Sequence, residues 1–154
     1  MVNRRSGARG FTLPEVLVVV AVLGILGAAA APSMSTLLVN QRVRSSGSEL
    51  LQALIRSRSE AIKRNAEVSL LPSANSWAGG WRIPNPADPS TPIEVHGPVK
   101  GATITGPDSV VFQSNGRIRG SASVSFDVSV SGGGMRRCVL VDPSGRPYQK
   151  HTAC

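Results

Sequence analysis

Hydrophobic and polar positions divide the chain into three stretches with different periods. Val16 to Ala31 is an unbroken run without a charge, and Phe11 to Pro14 in front of it bring the segment close to membrane-spanning length. About 20 apolar residues cross a bilayer as a helix, so the pattern predicts a membrane helix. From Ser33 to about Glu67 the pattern stays helical and becomes amphipathic. Leu50, Leu51, Leu54, Ile55, Ala61 and Ile62 recur at three- and four-residue steps as one apolar stripe, with Arg56, Lys63 and Arg64 largely off it. Pro32 removes the hydrogen bond to the Ala28 carbonyl, and with Gly24 and Gly27 upstream the helix is expected to bend there. Ser46 and Glu49 have capping-box spacing within Ser45–Glu49, which predicts a break and restart.

After Leu71 the period shortens to strands and turns. Ile93–Val95, Ala102–Thr105 and Ser109–Gln113 are short candidate strands, and four prolines between Pro84 and Pro92 make a loop. The clearest strand is Ser123–Ser131, where Val124, Phe126, Val128 and Val130 alternate with Ser125, Asp127 and Ser129. Gly132, Gly133 and Gly134 then turn the chain into Arg137–Val141, and Asp142, Pro143, Ser144 and Gly145 suit a type I turn. The expected architecture is α+β, one long amino-terminal helix packed on an antiparallel sheet.

Charge changes the reading of the amino terminus. Arg4, Arg5 and Arg9 precede a Gly10-Phe11 junction and the apolar run follows it, the reverse of a secretory signal, whose cut lies after the apolar region. The arginines would hold the amino terminus in the cytoplasm and send the rest outward. Gly10, Phe11, Thr12, Leu13 and Glu15 resemble the class III leader of type IV pilins and pseudopilins. The run RSRSEAIKRNAEVSL from Arg56 to Leu70 resembles the FimT, FimU and GspH group of minor pilins and pseudopilins, and Trp77 to Trp81 look like that family's tryptophan-glycine hairpin. Pro14 departs from the aliphatic residue many members carry, but at the start of a helix its missing N–H costs no bond.

The resemblance implies a pilin-like fold in three parts: a leader, 1–10, removed by prepilin peptidase; a transmembrane and assembly helix, 11–38; and a globular domain, 39–154. It implies cleavage after Gly10, methylation of the new amino terminus at Phe11, and pairing of Glu15 with a neighbouring subunit's Phe11 amine, each charge relieving the other's desolvation. The implied partners are other major and minor pilins, prepilin peptidase and the inner membrane. The implied location is single-pass in that membrane with a periplasmic carboxyl-terminal domain, and then the extracellular pilus. A membrane-anchored domain that never polymerises is the reading outside the family. The formal charge of +8 also overstates the basicity of the processed chain, since cleavage removes three arginines.

Cys138 and Cys154 are the only cysteines. An even count in a chain whose bulk faces an oxidising compartment predicts a disulfide, with two free thiols as the alternative. His96 and His151 have no metal-ligand spacing to the cysteines, and no phosphate loop or nucleophile motif is present, so the sequence reads as a non-enzyme without cofactor or metal.

Binding is left, and two segments compete. Gly116-Arg117-Ile118-Arg119 places two arginines on one side of an extended segment with Ile118 opposite, and Gly145-Arg146 is followed by Tyr148 and Lys150. From Gln113 to Cys154 there are six Lys or Arg against Asp127 and Asp142. Clustered arginines hold nucleic-acid phosphates and a tyrosine can stack on a base. FimT proteins, which the chain resembles, bind DNA in natural transformation through a carboxyl-terminal Gly-Arg-x-Arg motif. The first segment has those letters but lies early, and the second lies nearer the expected place but has Tyr148 for the second arginine. The plain alternative at each is a turn with solvated arginines. The resemblance therefore implies a minor pilin, at the pilus tip, that supports assembly and binds DNA through Arg117, Arg119, Arg146 and Lys150. The alternative is the GspH-type pseudopilin of type II secretion.

Overall fold

The computed structural model describes residues 11–130 and 134–154, without the side chains at 29–33 and 35. Gly10, the leader arginines Arg4, Arg5 and Arg9, the Gly132 and Gly133 part of the predicted turn, and the Pro32 side chain lie outside the described residues. The chain divides into two compact units, one ending at Leu37 and one running from Leu38 to Cys154.

One helix, α1, covers Leu13–Arg64. It starts after Thr12, whose carbonyl accepts from the Glu15 N–H at 3.1 Å and the Val16 N–H at 3.2 Å and whose N–H faces Glu15 Oε2 at 3.4 Å, the carboxylate half of a capping box. Within the first unit the apolar side chains from Phe11 to Leu26 are exposed. Among the described residues no helix is long and apolar enough to cross a membrane.

The helix does not restart at Ser46. The Ser46 hydroxyl donates back to the Arg42 carbonyl at 2.8 Å, Ser45 donates to Glu49 at 2.6 Å, and the helical ladder continues through both. A serine bonded to its own preceding turn has no need of a cap. The buried stripe also differs from the predicted one. Val43, Leu50, Ala53, Leu54 and Ala61 are buried, while Ile55 and Ile62 are about half exposed on its flanks. Ser57 joins the stripe because its hydroxyl is satisfied by the Ala53 carbonyl at 2.8 Å, which removes the cost of burying it. The helix ends in a Schellman motif at Asn65, whose φ of 51° is left-handed: the Asn65 N–H bonds to Ile62 O and the Ala66 N–H to Ala61 O, both at 3.2 Å. That end is earlier than Glu67.

Eight strands follow: β1 Val68–Ser73, β2 Ser76–Ile83, β3 Glu94–His96, β4 Thr103–Thr105, β5 Val110–Phe112, β6 Val124–Ser129, β7 Arg137–Val141 and β8 Pro147–Lys150. They form two antiparallel four-stranded sheets, ordered β3-β2-β1-β5 and β4-β6-β7-β8. Trp77 and Trp81 do not flank a turn. Both are buried within β2, and the hairpin turns earlier at Ala74 and Asn75, whose φ values of 49° and 57° are those of a primed two-residue turn. Trp77 seals the seam between the sheets: its ring meets Phe126 edge-on at 4.8 Å and its Nε1–H donates to Pro107 O at 2.7 Å. The buried face of α1 packs on these sheets around Trp81, Phe112 and Phe126, so the fold is the expected α+β arrangement with two sheets in place of one.

Candidate functional site

The two Gly-Arg segments are built alike. After β5, the Gly116 N–H bonds to Gln113 O at 2.8 Å and the Gln113 N–H to Arg117 O at 2.8 Å. Before β8, the Gly145 N–H bonds to Asp142 O at 2.8 Å and the Asp142 N–H to Arg146 O at 3.2 Å. Each is a four-residue turn whose last position is a left-handed glycine, with φ of 77° at Gly116 and 80° at Gly145, followed by an arginine that re-enters the ladder. A type I turn closed by a glycine bulge has this form. Side chains reinforce both: the Asn115 side chain accepts from the Arg117 N–H at 2.9 Å, and Asp142 accepts from Ser144 Oγ at 2.5 Å and the Arg146 N–H at 3.0 Å. The Ser144 bond first and the Arg146 N–H second hold the Asp142 carboxyl below its ordinary value of 3.8.

The turns also touch. A Cβ on Gly145 would lie 1.8 Å from Gly116 O and 3.1 Å from Arg117 Cα, so the two backbones meet at a distance only glycine allows. This brings Arg117 and Arg146 to one place, and both are exposed. Arg58 on α1 supports the junction from below, donating from Nε to Gly116 O at 3.1 Å. Ile118 is buried between the exposed Arg117 and Arg119 and bridges to Phe112, the alternation expected for an extended segment.

Arg119 is not part of this junction. Its guanidinium is ion-paired with Glu67, beyond the helix end. Lys150 stands at the other end of β8, opposite Cys138, with its ammonium 5.9 Å from the centre of the Tyr148 ring. Arg146, Tyr148 and Lys150 occur at alternate positions, and β8 forms an edge of its sheet. Cys138 and Cys154 are joined in a disulfide, Cα to Cα 5.0 Å, which fastens the chain just after β8 to β7. Among the described residues Arg117, Arg146 and Lys150 form no salt bridge, although the Asp142 carboxylate in the same turn attracts Arg146, and the three cations follow an edge from the double turn along β8.

The sequence pattern misses Arg58 and Glu67. Arg58 is one of many helix cations, and only its depth in the junction distinguishes it. Glu67 draws Arg119 away across a sequence distance that no local motif spans. Glu15, at the other end of the chain, contacts the Thr12 N–H at the start of its own helix.

Residues 46–145 match the family described as Type II transport protein GspH, and residues 5–31 match the prokaryotic N-terminal methylation motif. The Pseudomonas aeruginosa (strain PAO1) type IV minor pilin FimU has a similar fold. Its P21 crystal structure aligns with a TM-score of 0.63 at 19% identity, covering 71% of this chain and 89% of that one. Its P65 crystal structure aligns at 0.61 and 20% identity, covering 70% and 91%. No curated protein matches this chain.

Proposed function

Because the chain belongs to the FimT/FimU/GspH family of type IV minor pilins and pseudopilins, we propose that it is a minor pilin that binds DNA at the pilus tip for natural transformation. Prepilin peptidase cleaves after Gly10 and the new amino terminus at Phe11 is methylated. The apolar helix then anchors the subunit in the inner membrane with the carboxyl-terminal unit in the periplasm, until the subunit joins other major and minor pilins in the filament. Glu15 meets the Phe11 amine of a neighbour, and the carboxylate it now turns to the Thr12 N–H changes partner on assembly.

The observation that carries the DNA reading is the contact of Gly145 with Gly116 and Arg117. Two segments, one with the full arginine motif but early in the chain and one without its second arginine, together supply Arg117 and Arg146 at one backbone junction, with Lys150 further along the same edge. Phosphate recognition needs clustered cations on an exposed surface and does not need them consecutive in sequence.

The test is natural transformation in a host lacking its own copy, complemented with the parent or with Arg117→Ala/Arg146→Ala, with surface pili measured in parallel. The expected result is normal piliation and a transformation frequency at least tenfold lower in the double variant. Equal transformation by both would reject DNA capture. The match of residues 46–145 to a type II transport family favours one further reading, a GspH-type pseudopilin. On that reading deletion abolishes protein secretion and leaves transformation unchanged.

A further inference from the structure

Arg137 begins β7 on the face turned to α1, and it is only 7% exposed. A Cβ on Gly47 would lie 3.5 Å from Arg137 Cβ, so this side chain leaves the sheet against the helix. Its Nε and Nη1 have no partner among the described residues, and its Nη2 reaches only the Met135 sulfur, at 3.9 Å. The same sulfur receives Arg44 Nε from α1 at 3.4 Å. Two guanidinium groups thus converge on one thioether, a weak acceptor, and neither has a carboxylate.

The nearest acid in the sheet cannot serve them. Asp127 pairs in register with Cys138, whereas Arg137 pairs with Val128, so the Asp127 carboxylate points to the opposite face and bonds to Arg136 at 2.6 Å. A buried guanidinium with two unpaired N–H groups is costly, and buried charges are ordinarily paired. Arg44 is exposed and Arg137 is buried, which describes a site open on one side and lined with donors on the other.

We propose that Arg44 and Arg137 form a binding site for a phosphate-class oxyanion beside Met135. The two positive charges match a dianion better than a single carboxylate. The end of the Arg137 guanidinium, with Nη1 unpaired and Nη2 held only by the Met135 sulfur at 3.9 Å, suits two oxygens of a tetrahedral group, and Arg44 closes the site from the helix. Nothing in this proposal depends on the double turn or on DNA capture.

The chain has three methionines, so Met135 can be followed as a ¹³C-methyl signal in the full-length protein held in maltoside detergent. Inorganic phosphate is the probe, sulfate the second dianion and chloride, at matched ionic strength, the control. The expected result is a saturable shift of the Met135 methyl with phosphate and with sulfate, and none with chloride. Arg44→Ala, on the exposed side, is expected to weaken phosphate binding about ten- to a hundredfold, the effect of losing a charge-assisted bond. Arg137→Met is expected to abolish the shift without lowering the melting temperature in phosphate-free buffer, because it removes an unpaired buried charge. Arg117→Ala/Arg146→Ala should leave the shift intact. The proposal is overturned by a methyl signal that does not saturate, by an equal response to chloride, or by a phosphate response that survives Arg44→Ala undiminished.

Discussion

The Gln113–Arg117 and Asp142–Arg146 turns share a hydrogen-bond pattern, a left-handed glycine and the arginine after it, yet their glycines are held differently. A Cβ at Gly116 would meet Ile62 Cδ1 at 2.7 Å, the far end of a side chain that can move. A Cβ at Gly145 would meet the Gly116 carbonyl oxygen at 1.8 Å, fixed backbone. The first turn is seated on the helix and the second is locked onto the first. The residue three positions after each glycine also differs: in the first turn it is Arg119, held by Glu67, and in the second it is Tyr148. Two similar local motifs thus contribute one arginine each to a shared surface.

The largest effect should come from the glycines themselves. Gly145→Ala combines a strained φ with a backbone collision and is expected to cost roughly 3 kcal/mol or more, whereas Gly116→Ala should cost about 1–2 kcal/mol. Urea unfolding of the two variants tests this, and equal losses would mean that the turns do not abut. Next is the disulfide at the end of β8. Replacing Cys138 and Cys154 together by serine should lower stability by about 3 kcal/mol in the chain-entropy view and loosen β8 first, seen as faster amide exchange at Tyr148 and Gln149.

A smaller effect is expected at Arg119. Its exposed pair with Glu67 contributes under about 1 kcal/mol, and Arg119→Ala should leave both the fold and DNA affinity close to those of the parent. A marked loss of affinity in that variant would return the site to Gly116–Arg119 alone. The smallest effect concerns pH. Asp142 has a depressed folded pKa, so its bonds to Ser144 and Arg146 persist above the unfolded value near 3.8 and are lost only as pH falls through the lower folded value. The Arg146 amide resonance should therefore hold its position at pH 4 and move only in stronger acid.

Local grammar carried much of the fold. The alternation of Val124, Phe126 and Val128 marks β6, and Asp142 to Gly145 form the turn their letters suggest. What stayed hidden depended on partners distant in sequence. Ile55 and Ile62 have the period of core residues but fall at the edge of the face that Ala53 and Ser57 centre. β8 is polar and begins at a proline, so only its pairing with β7 reveals it as a strand. The candidate site was half legible: both Gly-Arg segments stand out in the sequence, but their contact does not, because it joins residues 116 and 145 through bare backbone. The pairing of Arg119 with Glu67 was hidden for the same reason.

The salt dependence of duplex DNA binding by the full-length chain in maltoside tests the shared surface most directly. The parent, Arg117→Ala/Arg146→Ala and Arg119→Ala are titrated side by side. Each lost phosphate contact lowers the magnitude of the log-log slope by about 0.9. The account predicts a slope reduced by about 1.8 in the double variant, from two contacts at about 0.9 each, and unchanged in Arg119→Ala. A parent that does not bind at low salt, or a slope that falls with Arg119→Ala and not with the double variant, would contradict it.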